Sequence, residues 1–261
     1  PGARGAAAGG ATEEAQVVSR YADDLAYVHH TGFADLARGA APFLVSLLRS
    51  RGIVGTVVDL GCGSGVVLAA LVEAGHHAIG VDLSRSMLEL ARASAPAAQL
   101  VRASLYDVDA WDSGGGLAAV FGIGEPLNYD YAGEAPALPP FFRRVRRALA
   151  PGGLFVFDVI VRGPGPSLSK RGFASGETWA TLVETVENPA RTMLVREITS
   201  FVRRAGEERY RRAHEVHRVR VLDTGAVASA LRKSGFRVRV ASSYGAHPLA
   251  VRRRAFLCRR A

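Results

Sequence analysis

A short glycine-rich segment constrains the fold of this chain more than any other part of the sequence. An apolar run that ends at Asp59 passes directly into three glycines at alternate positions, Gly61, Gly63 and Gly65. Residues without a Cβ permit a sharp turn and a close approach of the backbone to a ligand. The apolar-periodic stretch 66–72 then predicts a helix that begins at the loop. The sequence therefore predicts a strand, a ligand-binding loop and a helix in succession.

Two acidic residues indicate which kind of ligand this loop binds. Position 66 is Val66, so the third glycine of the dinucleotide pattern is missing, and Asp59 would repel an anionic pyrophosphate. About twenty residues later a short apolar strand ends at Asp82, whose carboxylate can accept hydrogen bonds from both hydroxyls of a ribose. The two carboxylates therefore indicate a ligand with a cationic group and a ribose.

Three motifs in order resemble the class I S-adenosylmethionine-dependent methyltransferases. They are Asp-Leu-Gly-Cys-Gly-Ser-Gly at 59–65, Gly-Val-Asp-Leu-Ser at 80–84 with Met87 after it, and Leu-Ala-Pro-Gly-Gly at 149–153. The resemblance is strong over residues 54–159 and loose elsewhere. It implies S-adenosyl-L-methionine as the cofactor, with the loop around its methionine end, Asp82 on the ribose and Asp59 near the ammonium group.

The same resemblance implies a set of cofactor-binding residues. An aromatic residue of the N-terminal segment, here Tyr21, is expected at the methionine carboxylate, and Ser104 with Leu105 is expected beside the adenine. Cys62 is interpreted as a small packing residue, because nothing near it in the sequence would activate a thiol. The full expected set is Tyr21, Asp59, Gly61, Cys62, Gly63, Gly65, Asp82, Leu83, Met87, Ser104, Leu105 and Gly122.

The order of apolar segments predicts the fold class. Strands and helices alternate from residue 57 to residue 160, which predicts a doubly wound, mostly parallel, seven-stranded Rossmann-like sheet of the α/β class. Residues 13–51 have helical periodicity with a break near Thr31, and predict a helical cap. Residues 1–12 are rich in alanine and glycine, and we expect a flexible N-terminus there.

A second type of pattern begins after residue 162. Runs 178–186, 193–202 and 209–222 have strand character and are separated by turn residues, which predicts an antiparallel three-stranded lid. We therefore expect a Rossmann-like domain formed by 52–162 and 222–261, interrupted by a lid at 163–221. Similar sheets in the resembled family, such as those of amino-sugar N-methyltransferases, form substrate lids or dimer surfaces, so a homodimer through this sheet is left open.

Candidate catalytic residues come from two segments. In the resembled fold the residues after the fourth strand face the transferring methyl group, so Glu125 and Tyr129 are expected to orient an acceptor. Asn128 belongs to the same group, and Asn128 and Tyr129 have an equally weighted alternative as caps of the following turn. In the third lid run Glu215 and His217 point to one side of the strand, which makes His217 a candidate base or an ordinary polar strand residue.

The same strand geometry argues against a metal site. His214 and His217 flank a glutamate, but on a strand their side chains point to opposite faces, so a zinc site is not predicted. The helical break also carries His29 and His30, which are further candidates for a base if the acceptor is a hydroxyl.

Composition limits the remaining function classes. The net charge is +9 and comes almost entirely from arginine, with Lys170 and Lys233 the only lysines. The arginine clusters lack interleaved aromatic residues, so no stacking platform for nucleic acid is predicted, while an anionic substrate or partner stays open. No run reaches the roughly 20 apolar residues of a membrane helix. Two distant cysteines favour a reducing compartment, and we expect the cytoplasm.

The predicted function is methyl transfer from S-adenosyl-L-methionine to nitrogen or oxygen of a small-molecule acceptor. The segment after the fourth strand lacks the Asn/Asp-Pro-Pro-aromatic run with which amino-methylating nucleic-acid enzymes hold an extruded base. Two alternatives remain open: a methyltransferase that acts on a nucleic acid or a protein, and a cofactor-binding protein without transferase activity.

Overall fold

A computed structural model describes residues 21–112, 114–130, 133 and 135–261. The expected flexible segment 1–12 and the first part of the expected cap lie outside the described residues. Within them, the cap region forms two helices, α1 (Asp23–Gly32) and α2 (Asp35–Ser50), which separate close to the predicted break. Helix α1 packs against helix α4, defined below, and against two lid strands, whereas α2 packs on the helix that follows the glycine loop.

The first half of the chain alternates strands and helices as predicted. In chain order these are β1 (Thr56–Leu60), α3 (Val66–Glu73), β2 (His77–Asp82), α4 (Arg85–Ser94), β3 (Gln99–Arg102), β4 (Leu117–Gly122), α5 (Leu138–Ala148) and β5 (Leu149–Ile160). The lid follows with β6 (Ser169–Ser175), β7 (Trp179–Glu187), β8 (Met193–Val202) and β9 (Arg211–Arg220), and the chain closes with α6 (Thr224–Lys233), β10 (Phe236–Ala241), β11 (Ser243–Tyr244), β12 (His247–Pro248) and β13 (Arg253–Arg260).

The central sheet has the strand order β10-β13-β5-β4-β1-β2-β3. Neighbours among β1 to β5 pair in parallel, whereas β13 runs antiparallel to both β5 and β10. Buried apolar residues form one core between the sheet and helices α5 and α6, and another between the sheet and helices α2 and α3. The predicted α/β class with a largely parallel central sheet is therefore confirmed.

The lid is a separate antiparallel sheet, and the predicted number of strands was wrong. It contains four strands in the order β6-β7-β8-β9, where three were predicted. The missed strand, β6, is an edge strand whose residues are almost all exposed. Because an edge strand with two exposed faces needs no apolar alternation, its sequence lacks the pattern that reveals the other three.

Among the described residues, two isolated bridges lie where the lid meets the segments that follow β4 and β5. Tyr129, shortly after β4, pairs with Val219 of β9, and Val161 after β5 pairs with Leu222. The lid thus stands over the carboxyl ends of the parallel strands, where ligands bind in folds of this kind. The domain boundaries at residues 52, 163 and 222 stay predictions. In the described part of the chain, no helix combines the length and the apolar character needed to cross a membrane.

Candidate active site

The glycine loop is anchored to strand β2 by its own backbone. The N–H groups of Gly61 and Cys62 both donate to the carbonyl of Val81, at 2.7 and 3.0 Å. Gly61 has φ +66°, and a Cβ there would lie 2.7 Å from Cβ of Pro126. Gly65 has φ +81°, and a Cβ there would lie 2.9 Å from Cα of Ala91. Both positions therefore require glycine for the turn and for close packing.

Asp82 faces the loop from the end of β2. One carboxylate oxygen accepts the N–H of Gly63 at 3.0 Å, and the other accepts the N–H of Ser84 at 2.8 Å. Burial raises the pKa of Asp82, and these N–H donors lower it in part. Each oxygen retains further acceptor capacity, so the carboxylate is oriented and still able to bind a pair of hydroxyls.

Asp59 and Cys62 lie beneath the loop. Burial, together with the nearby charge of Asp82, raises the pKa of Asp59 to about 7. Burial also raises the pKa of the Cys62 thiol well above its usual range, with further contributions from the two carboxylates. The Cys62 sulfur lies 2.9 Å from where a Cβ on Gly80 would be. A neutral, tightly enclosed thiol favours the packing interpretation of Cys62.

A cavity of about 430 Å³ extends from this loop to the lid. On the loop side its wall includes Gly61, Gly63, Asp82, Leu83, Met87 and Leu105. On the lid side it includes Thr181, Val183, Arg196 and Ile198 of the lid, with Glu125 and Tyr129 after β4 and Arg253 of β13. The cap contributes Tyr21, Leu25, His29, Phe33 and Leu36. The volume is in the range of small-molecule sites.

Charged side chains meet on the lid side of the cavity around Glu125. Its carboxylate forms ion pairs with Arg196 and Arg253, and Arg253 also pairs with Asp158. Asp158 accepts the N–H groups of Gly124 and Glu125 at 2.9 and 3.1 Å. Burial alone would raise the pKa of Glu125, but the two guanidinium groups outweigh it, so that the pKa is lowered. Glu125 is therefore a buried carboxylate that stays ionised.

Two tyrosines close the wall between the loop and the lid. The hydroxyls of Tyr21 and Tyr129 lie 2.7 Å apart. Burial, then the charge of Glu125, raises the pKa of Tyr129 to about 12, so the phenol keeps its proton at neutral pH. His217 is fully buried behind them: its ring centroid lies 4.8 Å from that of Tyr21 and 5.7 Å from that of Tyr129.

His29 brings an imidazole to the same cavity from helix α1. Burial lowers its pKa to about 4; the neighbouring His30 and His217 act in the same direction, and Glu125 acts against them. Its Nδ1 is buried and has no hydrogen-bond partner among the described residues. At neutral pH the ring is uncharged, which makes it a hydrogen-bond acceptor and a weak base.

The structure brings most of the expected site residues to one cavity, but not all of them. Asp59, Cys62, Gly65, Ser104, Gly122 and His217 belong to the surrounding layer and not to the described cavity wall. Gly122 packs against Pro126, and the Ser104 hydroxyl accepts the N–H of Tyr106 at 3.3 Å. Asn128, the further acceptor candidate, uses its amide to join the backbones of Ile160 and Arg220. Its observed role is therefore structural.

Sequence reasoning missed Arg196, Arg253 and Asp158. Arg196 lies 71 residues from Glu125, and Arg253 lies 128 residues from it. Asp158 alone has a local signal, since it is a charged residue inside the otherwise apolar segment 154–160, whereas Arg253 lies within a run of three arginines. A charge in an apolar segment is rarely buried unless it is paired, which would have singled out Asp158.

The geometry agrees with a comparison against protein families. Residues 57–153 match the family model described as a methyltransferase domain. The chain carries a methyltransferase domain. The match spans β1 to the Gly152-Gly153 turn, and it includes the glycine loop and Asp82, which are the motifs that resemble the class I S-adenosylmethionine-dependent methyltransferases.

Curated relatives match part of the chain, and the chain spans about two fifths of their length. The trans-aconitate 2-methyltransferase of Paracidovorax citrulli is 36% identical over 105 residues, which are 40% of this chain and 38% of that protein. The 18S rRNA (guanine-N(7))-methyltransferase RID2 of Arabidopsis thaliana is 32% identical over 116 residues, 43% of this chain and 40% of that protein. Similarity within the domain therefore does not fix the acceptor.

Solved structures extend the likeness beyond the methyltransferase domain. A S-adenosylmethionine-dependent methyltransferase from Clostridium acetobutylicum superposes with a TM-score of 0.72 at 18% identity, covering 90% of this chain and 96% of that one. The sugar N-methyltransferase KedS8 from Streptoalloteichus superposes with a TM-score of 0.70 at 21% identity, covering 99% of both chains. At these identities the likeness concerns the fold alone.

Proposed function

We propose that the protein transfers a methyl group from S-adenosyl-L-methionine to nitrogen or oxygen of a small-molecule acceptor. The observation that carries the proposal is the single cavity that joins the glycine loop to the lid. One end offers the carboxylate of Asp82 to a ribose, and the other offers apolar side chains and a few convergent polar groups. A volume of about 430 Å³ under a sheet suits a small ligand better than a macromolecule.

In this proposal the residues below and around the loop hold the cofactor. Asp82 binds the ribose hydroxyls, Leu105 and Met87 contact the adenosine, and Asp59 attracts the ammonium group through the loop. The pKa of about 7 of Asp59 falls when a cation approaches, because an opposite charge favours the carboxylate. The loop itself fits a backbone-wrapped methionine end, since a Cβ on Gly61 would clash with Pro126.

The lid side orients the acceptor. A sulfonium methyl group is already activated, so the protein must hold a nucleophile in line with the bond to sulfur, where orientation supplies several kcal/mol. Glu125 accepts a hydrogen bond from the acceptor while Arg196 and Arg253 keep it ionised. Tyr129 contributes its phenol as a donor or acceptor. His217 packs against both tyrosines from behind, and its role as a base stays a prediction.

The cavity favours nitrogen over oxygen as the methylated atom. A hydroxyl acceptor needs a base to remove its proton, and the pKa of about 4 makes His29 a weak one. A neutral amine needs only desolvation and hydrogen-bond acceptors around it. The imidazole of His29, the carboxylate of Glu125 and the hydroxyl of Tyr129 supply those acceptors.

We propose further that the protein forms a homodimer through the lid and resides in the cytoplasm. The outer face of the lid exposes Phe173, Leu182, Val186 and Val216, with exposed fractions of 68, 49, 43 and 39%. Arg171, Glu184 and Glu197 lie on the same face, so it combines exposed apolar side chains with charges, as interaction surfaces do. Both cysteines are free thiols, which suits a reducing compartment.

The test is calorimetric titration with S-adenosyl-L-methionine and its demethylated product, followed by a screen of amines, phenols and carboxylates. We expect binding of both molecules and turnover of an amine with little dependence on salt. Turnover of nucleic acid that falls steeply with salt would favour the nucleic-acid alternative. Binding of the cofactor without turnover of any class of acceptor would favour a protein without transferase activity. No binding of either molecule would contradict the proposal.

A further inference from the structure

The first described residues of the chain are tied to the lid by one buried carboxylate. We call residues 21–24 the strap. Glu215 of β9 accepts the N–H of Tyr21 and the N–H of Ala22, each at 2.9 Å and each on a different carboxylate oxygen. On the same strand Arg211 forms an ion pair with Asp24. A side chain of the lid thus fixes the backbone just ahead of helix α1.

The other side of the strap is tied to the cofactor half of the site. The hydroxyl of Ser84 donates to the carbonyl of Tyr21 at 2.7 Å, and the hydroxyl of Ser86 bonds the carboxylate of Asp23 at 2.5 Å. Ser84 is also the residue whose N–H binds Asp82. The strap therefore connects the lid to the turn that carries the ribose-binding candidate.

The backbone of Tyr21 needs these contacts to keep its conformation. Its φ is +51°, in the left-handed region that residues with a bulky side chain rarely adopt. Such a conformation costs free energy and persists only where the surroundings fix it. Two N–H groups converging on one carboxylate provide that constraint. Nε2 of His217 lies 3.0 Å from Oε2 of Glu215, and this contact orients the carboxylate.

We propose that Glu215 is a positioning residue: it holds the side chain of Tyr21 in the cavity wall, and it thereby couples docking of the lid to retention of the cofactor. Tyr21 lines the cavity together with Asp82 and Gly63, and its hydroxyl meets that of Tyr129. Release of the strap from Glu215 opens this wall. The inference rests on the proposed function, because the retained molecule is S-adenosylmethionine or its product.

The chain contains a natural reporter for this experiment. Trp179 of β7 packs against the end of helix α1, with its ring centroid 5.8 Å from that of Phe33. The second tryptophan, Trp111, lies buried in the core. Tryptophan fluorescence in a stopped-flow instrument can therefore follow the contact between lid and cap while S-adenosylhomocysteine is displaced by an excess of S-adenosylmethionine.

Glu215→Gln is the decisive variant. A glutamine oxygen can accept one of the two N–H groups, but its NH2 group opposes the other. We expect S-adenosylhomocysteine to dissociate about tenfold faster, since one hydrogen bond to a charged group is lost. In a Tyr21→Ala background the same substitution should add almost nothing, because the positioned side chain is already absent. An unchanged dissociation rate, or a full effect without Tyr21, would overturn the proposal.

Controls separate this role from general stability. Glu184→Gln removes a carboxylate of the same lid sheet whose pair with Arg171 is exposed, and it should leave the dissociation rate unchanged. Glu215→Asp keeps the charge but is too short to reach both N–H groups, and it replaces Glu215→Gln if the latter does not fold. It should give the same acceleration.

Amide hydrogen exchange tests the strap without any ligand. In the free protein, Glu215→Gln should accelerate exchange at Tyr21 and Ala22 while the strands of the central sheet keep their protection. Equal exchange in the two proteins would contradict the role of Glu215. A different outcome is protection at Tyr21 and Ala22 in the wild-type protein that Glu215→Gln removes, together with no binding of S-adenosylhomocysteine. That result would contradict the proposed function and would leave the role of Glu215 in fixing the strap intact.

Discussion

The two sides of the cavity are held together by different kinds of contact. On the loop side, Asp82 is fixed by backbone N–H groups of residues 19 positions before it and 2 positions after it. On the lid side, Glu125 is fixed by arginine side chains 71 and 128 residues further along the chain. The loop side is therefore preorganised by local backbone geometry, whereas the lid side exists only when three distant strands are docked.

This difference predicts which substitutions affect which part of the reaction. A change on the loop side should weaken binding of the cofactor and leave the rest of the fold intact. A change on the lid side should alter stability as well as binding of the acceptor, because the buried carboxylates there depend on arginines from distant strands. The cofactor half can thus stay the same among proteins whose lids, and therefore acceptors, differ.

The largest effect is expected for Glu125→Gln. The substitution leaves the half-buried guanidinium groups of Arg196 and Arg253 without their shared carboxylate. Removal of one partner from a buried ion pair costs about 3–5 kcal/mol. Urea unfolding should show this loss in the free energy of unfolding. Glu184→Gln breaks an exposed ion pair and should change the free energy of unfolding by less than about 1 kcal/mol. A loss of similar size in both variants would show that the pairs of Glu125 do not stabilise the fold more than an exposed pair does.

Asp59→Asn should produce a pH-dependent gain in stability. Burial raises the pKa of Asp59 from 3.8 to about 7, so the folded state favours the protonated side chain. The stability that the wild type has with Asp59 protonated is fully present below pH 4, and it is lost as the pH rises to about 7. Asparagine imitates the protonated acid at every pH. At pH 8 the variant should therefore be more stable than the wild type by about 4 kcal/mol, with little difference near pH 4.

Unfolding of both proteins at pH 4.5 and at pH 8 would check this prediction. Affinity for the cofactor should fall in the variant although its stability rises, because the variant lacks the charge that attracts the ammonium group. A stability difference of the same size at both pH values would show that Asp59 is not protonated in the free protein.

Asp82→Ala should weaken binding of S-adenosylmethionine by about 1–3 kcal/mol, which is the loss of hydrogen bonds to a charged group. Because the loop side is local, the free energy of unfolding should fall by less than it does for Glu125→Gln. Asp35→Ala serves as the control, since its side chain is 86% exposed on helix α2. Unchanged affinity in calorimetric titration would reject Asp82 as the ribose-binding residue.

The contrast between the loop side and the lid side also explains which features of the site the sequence predicts. The glycine loop and Asp82 were predictable because a strand, a loop with its helix and the next parallel strand place them at the same edge of the sheet. The alternation of strands and helices around them follows from the alternating apolar segments, whereas the order of the strands in the sheet was not predicted. The ion pairs of Glu125 were not predictable, because they depend on the register of β8 and β13 relative to the end of β4, which no local pattern encodes.

Asn128 and His217 illustrate the same limit. Both were candidates for contact with the acceptor, since amides and imidazoles are common in active sites. The structure instead uses the Asn128 amide to join β5 to β9 and buries His217 behind two tyrosines. A polar residue between two apolar strands can bind a ligand or satisfy buried backbone groups, and only the tertiary arrangement decides between them.

The smallest effect on stability is expected on the outer face of the lid. Phe173 of β6 and Leu182 of β7 are cross-strand partners there, and both are largely exposed. The double variant Phe173→Ser, Leu182→Ser should change the stability of the monomer by about 0.5 kcal/mol or less per site, since surface substitutions seldom cost more.

If this face pairs two copies of the chain, the double variant should sediment as a monomer where the wild type sediments as a dimer. Its affinity for the cofactor should be unchanged, because the face lies opposite the cavity wall formed by Thr181 and Val183. Substituting Thr199 by serine in the same face keeps its polarity and should leave the dimer intact. A wild-type protein that sediments as a monomer at all concentrations would exclude the lid as a dimer surface.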